Sequence, residues 1–129
     1  MGLPTSESHV ENAERQGRFA LPPLWKQMLL RSNGFELDAN DDFWVAFPVW
    51  DDSSRKHIAR SANHILRETQ TMRGYAGFPA EAVAIASNGS GDVLVLIPGG
   101  SDVYIWHHET GELKLTEVSY PGANKESED

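Results

Sequence analysis

The side chains able to do chemistry in this 129-residue chain are five histidines, 19 carboxylates and one serine-glycine loop, and there is no cysteine. His107-His108-Glu109 is the densest run of metal-ligating residue types. On a strand, His107 and Glu109 point to one side and His108 to the other. Two ligands then share a face, whereas a tight site needs three or four. His57 and His64 stand seven residues apart in a helical stretch and can share a face; His9 is remote from both. The expectation is therefore no metal and no cofactor.

Asn88-Gly89-Ser90-Gly91-Asp92 has the glycines of a phosphate cradle but not its lysine, and a strand rather than a helix follows. It also lacks the first glycine of a Gly-x-Ser-x-Gly elbow. A hairpin turn explains it better, with glycine supplying positive φ and Asp92 bonding turn amides. The adjacent pairs Asp41-Asp42 and Asp51-Asp52 sit in loop-like contexts, where solvated acids and helix caps are the ordinary explanation. No catalytic residue is expected, and the chain is not read as an enzyme.

The remaining candidates are suited to binding. In Phe43 to Val49, read as a strand, alternation puts Phe43, Val45, Phe47 and Val49 on one face and Trp44, Ala46 and Trp50 on the other. Both faces are apolar, so one packs on the core and the other is either covered or free for a partner. A tryptophan pair flanked by acids suits a protein interface, because aromatic residues anchor such contacts. The expected partner-binding set is Asp41, Asp42, Trp44, Trp50, Asp51 and Asp52.

The elements that must position these residues follow from periodicity and turn signals. A short helix is expected over Ser8–Gln16, ending at Gly17. Leu21-Pro22-Pro23 opens the next, since proline suits a first turn. Leu21, Leu24, Trp25, Met28 and Leu29 then form one apolar stripe, and Asn33-Gly34 closes it. A long helix is expected over Ser54–Arg73, headed by Asp51-Asp52-Ser53, with Ile58, Ala62, Ile65, Leu66, Thr69 and Met72 along one face. Strands are expected at Val83–Ser87, Asp92–Ile97, Asp102–His107 and Glu112–Val118, joined by glycine-rich turns. The class is α+β: one domain over residues 1–129, with a curved antiparallel sheet of about five strands and helices packed on one face. The ends, about 1–7 and 122–129, are expected to fray.

Eleven basic against 19 acidic residues give a net charge of -8, which opposes nucleic-acid binding and favours encounter with a basic partner. No stretch is apolar for long enough to span a bilayer, so no membrane partner is expected. The absence of cysteine suits a reducing cytoplasm.

Two segments resemble the SUKH superfamily, which joins fungal cell-wall-synthesis regulators to bacterial immunity proteins. Residues Glu14 to Gly34 are similar to its opening pattern: a short helix, a glycine region, Leu21-Pro22, an aromatic residue at Trp25, then Asn33-Gly34. Residues Ala84 to Leu96 are similar to its Gly-Asp hairpin, here Gly91-Asp92, followed by Val103-Tyr104-Ile105-Trp106. The resemblance implies a non-catalytic module whose partner is a protein: a cognate toxin, such as a basic nuclease-type domain, neutralised by covering its active surface. A regulatory or scaffold role of the cell-wall-regulator type is the alternative. A small hydrolase or metal-dependent enzyme is a distant third.

Overall fold

The computed structural model describes residues 2–120. Two helices open the chain, α1 (Glu7–Gly17) and α2 (Pro23–Arg31). A hairpin follows, β1 (Glu36–Ala39) and β2 (Asp42–Ala46), and then two more helices, α3 (Arg55–Arg60) and α4 (Ile65–Met72). Five strands complete the order: β3 (Val83–Ser87), β4 (Val93–Leu96), β5 (Val103–Trp106), β6 (Leu113–Thr116) and β7 (Val118–Ser119). All pairings are antiparallel in one seven-stranded sheet, ordered β6-β5-β4-β3-β2-β1-β7. The class is α+β as expected, but seven strands among the described residues replace about five. Among the described residues no helix is long and apolar enough to cross a membrane.

The two additional strands come from short half-polar segments. In β1, Leu37 and Ala39 face the core while Glu36 and Asp38 face solvent. Asn40 and Asp41 make its two-residue turn, with φ of 53° and 58°. That left-handed pair is what a tight hairpin needs, and Asn and Asp tolerate it. β7 closes the other side of β1, pairing Asp38 with Ser119 and Ala39 with Val118.

The long helix expected over Ser54–Arg73 is two helices, and competition for hydrogen bonds explains the break. Ile65 donates its N–H to the Pro48 carbonyl at 2.9 Å instead of continuing a helical ladder. Ser61 is buried, accepts the Asp51 N–H and donates to the His57 carbonyl. His64 then caps α4, its Nδ1 accepting the Arg67 N–H. The second helix also does more than cover a sheet face. Thr69 Oγ1 accepts the Ala84 N–H at 2.9 Å, just beyond Ala46–Ala86, where β2 stops pairing with β3.

Residues 2–6 are tied down, within the stretch of about 1–7 where fraying is expected. Asn33 donates its N–H to Leu3 O, Thr5 donates to Leu30 O, and Ser6 caps α1. Gly2 lies so close to the Asn33 backbone that a Cβ there would sit 2.5 Å from its carbonyl oxygen. The tail expected to fray at 122–129 lies outside the described residues.

Asn33 itself is buried, and its amide group acts as a short piece of strand. Nδ2 donates to Val49 O at 2.8 Å and Oδ1 accepts Val49 N–H at 2.9 Å. Truncation leaves two buried backbone groups unpaired, so Asn33→Ala is expected to lose about 2–4 kcal/mol. Urea unfolding monitored by tryptophan fluorescence measures this; a loss below about 0.5 kcal/mol, the range of ordinary surface changes, would contradict it.

Candidate functional site

Strand register shows how the sheet presents its residues. Glu36, Val45, Ser87, Val93, Trp106 and Leu113 are successive cross-strand partners, so they form one row over six strands on one face. Ala46, Ala86, Leu94 and Ile105 form the matching row on the opposite face, and all four are buried. The first row is covered only in the middle. There the segment after α4 crosses Trp106, with Gly77 O accepting the indole N–H at 3.1 Å and Phe78 meeting the ring edge-on. At one end Phe43 and Val45 are 52% and 42% exposed, and at the other Leu113 and Leu115 are exposed. A cleft of about 460 Å³ opens beside the covered part. Phe47, Met72, Val93 and Trp106 line its apolar depth, Tyr75 stands exposed at its mouth, and Glu68, Ser87 and His108 add polar groups.

The structure divides the expected partner-binding residues. Asp41 and Asp42 lie exposed at the β1–β2 turn, where Asp42 accepts from Asn88 Nδ2 at 2.9 Å. That bond joins the acidic turn to the β3–β4 turn and so to the open face. Trp50 is partly exposed and meets the His64 ring at 5.6 Å. Asn63, next to His64 in the chain, borders a shallow groove with Phe43 and Val45. Burial and the Arg67 charge hold the His64 imidazole below 6.5, which suits its role as an acceptor.

Two members of the set are not surface residues. Trp44 is 1% exposed and donates its indole N–H to Ala39 O. The core therefore takes Trp44 and Ala46, and the exposed aromatic of β2 is Phe43. Asp51 is 2% exposed and is consumed internally, accepting from Thr5 Oγ1 at 2.7 Å and from the Ser53 N–H and hydroxyl. Burial alone would raise its carboxyl; the bonds from Ser53 and Thr5 and the charge of His9 outweigh that and lower it. Asp52 remains exposed.

His9, Asp51 and Asp52 are the one group among the described residues whose ligand atoms could share a metal, lying within 4.8 Å of one another. His9 Nε2 is 3.4 Å from each carboxylate, and Ser6 Oγ holds its Nδ1 at 2.7 Å. These contacts anchor the start of α1 to the loop after β2. Spacing alone does not reveal the grouping, because His9 lies more than 40 positions before the adjacent Asp51 and Asp52. His57 and His64 do not share a helix: each serves the start of its own, α3 and α4.

A second ionisable group borders the cleft. β5 ends at Trp106, so strand alternation no longer applies to the residues after it. His107 and His108 both turn to Asp92, with Nδ1–carboxylate distances of 3.5 and 2.6 Å. Asp92 also accepts the His108 backbone N–H, so it bonds the next hairpin rather than its own turn. Its carboxyl is lowered: burial opposes ionisation, but the bonds from His108 and the nearby imidazoles outweigh it. Gly91 has φ of 108°, and a Cβ there would sit 3.0 Å from His108 Nδ1. Gly91-Asp92 is thus a seat for His108. Ser87 Oγ accepts the Gly89 N–H, and among the described residues no hydrogen bond joins it to His108.

A family model described as SMI1 / KNR4 family (SUKH-1) matches residues 4–119. Nothing among the curated proteins or the solved structures matches the chain.

Two outcomes test the His108 seat. Gly91→Ala is expected to cost about 1–3 kcal/mol from the strained φ and the contact with the ring. Because the Asp92 carboxyl is lowered in the folded state, its stabilisation is complete above 3.8, the ordinary value, and is lost as pH falls below it. Asp92→Asn should therefore reduce stability at neutral pH and flatten the stability profile below 3.8, as measured by urea unfolding at stepped pH. Equal acid sensitivity in both proteins would contradict this.

Proposed function

We propose that this chain, which belongs to the SMI1/KNR4 family (SUKH-1), is a protein-binding module of the immunity type. It neutralises a cognate toxin by covering the toxin's active surface. The observation that carries the reading is the half-open sheet face: Phe43 and Val45 exposed on it, with Asp38 and Glu36 as their respective cross-strand partners and Asp41 and Asp42 at the turn. Exposed apolar groups rimmed by charge are the ordinary make-up of an interface, with an apolar centre and a polar rim. The acids give the face a preference for a basic partner, such as a nuclease-type domain whose own substrate is phosphate-rich.

The ionisable groups support a binding role. Asp51 and Asp92 are occupied in holding neighbouring elements, and His108 is seated by its hairpin. A cytoplasmic location suits a cysteine-free chain. The same face would equally serve a regulatory or scaffold module, and the identity of the partner separates the two roles. An immunity gene lies beside its toxin gene, so the product of the adjacent gene is the partner to test.

Asp41→Lys combined with Asp42→Lys is expected to weaken binding of that product by about tenfold or more, mainly through slower association at low salt. Surface plasmon resonance at two ionic strengths measures it. Affinity and salt dependence unchanged from the parent protein would remove this surface from the interface.

A further inference from the structure

The cleft beside Trp106 holds an unused negative charge. Among the described residues no ion pair or side-chain hydrogen bond involves Glu68, and no lysine or arginine lines the cleft. His108 is already held at its own partner, its Nδ1 lying 2.6 Å from the Asp92 carboxylate. The apolar depth, Phe47, Met72 and Trp106, suits an aliphatic stem, and the exposed Tyr75 ring at the mouth offers a face for a planar cation.

We propose that this cleft is the anchor pocket for an arginine side chain of a protein partner. The inference rests on the protein-binding reading above and adds the chemistry of the contact. A purely apolar anchor would fill the cleft but bury the Glu68 carboxylate without a counter-charge, at a cost that its contacts would have to offset. Guanidinium avoids that cost. It pairs with a carboxylate through two parallel bonds, stacks on an aromatic ring, and is more weakly hydrated than an ammonium. Position strengthens the argument: Ser87 and Phe47 border both this cleft and the groove of Phe43 and Val45. A basic surface drawn to the Asp41-Asp42 turn would thus meet the pocket along one continuous track.

The test needs no natural partner. N-acetyl-arginine amide is titrated into the full-length protein, with N-acetyl-citrulline amide, its neutral isostere, as the comparison. The indole N–H signal of Trp106 is followed by ¹H–¹⁵N NMR. The arginine probe is expected to shift that signal saturably, with citrulline binding at least about tenfold more weakly, as the loss of a charged hydrogen-bond pair implies. Glu68→Gln should remove the difference between the probes, and Tyr75→Ala should weaken arginine while the protein stays folded, both being exposed or half-exposed positions. No saturable shift with arginine up to about 50 mM, the weak end of single-side-chain binding, would overturn the proposal. Equal binding of the two probes, or an effect that survives Glu68→Gln, would do the same. Failure here leaves the partner-binding experiment with the Asp41 and Asp42 variants standing, and failure there leaves this one interpretable.

Discussion

The amide of Asn33 replaces a missing strand partner, and much of the molecule is arranged by that substitution. It meets both backbone groups of Val49, while its own N–H holds Leu3. The chain leaving β2 is thereby drawn inward, and Phe47, Pro48 and Val49 are all buried. Once Pro48 is inside, its carbonyl is free to take the Ile65 N–H, and the helical stretch breaks where it does. Thr69 is then placed on Ala84, and the segment after α4 is directed across Trp106. The cleft is the space left between that segment and the sheet.

The same arrangement explains why one sheet face stays partly open. Ala46, Ala86, Leu94 and Ile105 are fully enclosed on the opposite face, so the core is complete without Phe43 and Val45. Burying the half of either side chain that remains exposed would gain roughly 1 kcal/mol, and the fold forgoes that gain at two positions adjacent on the face. The flanking carboxylates keep such a patch soluble, since like charges discourage contact between copies, and they favour a partner of opposite sign. Solubility and the proposed binding thus draw on the same residues.

Much of this was legible in the sequence, for identifiable reasons. β3, β4 and β5 have continuous apolar residues between glycine turns, and their expected bounds differ from the observed ones by no more than a residue at each end. Asn33-Gly34 and Gly91-Asp92 stood out as motifs, although only the structure shows Asn33 bridging Val49 and Gly91 making room for His108. β1 was missed because four residues with two acids carry little strand signal, and Asn40-Asp41 is a weaker hairpin sign than Asn-Gly. Alternation correctly separated Trp44 from Phe43 but could not say which faced inward, because both faces of that segment are apolar. The helix break was hidden because its cause, a carbonyl 17 positions earlier, is a tertiary contact. His107 and His108 converge only because β5 ends one residue before them, a boundary finer than pattern reading resolves.

The proposed docking surface is the half-open face of β2 and β3, continuing into the cleft. Hydrogen–deuterium exchange on the complex with the adjacent gene's product tests it most directly. Docking on this face would slow exchange at 42–47 and 87–93 and leave α1 and α2 unchanged. Protection confined to the helices, with those sheet amides exchanging as in the free protein, would contradict it.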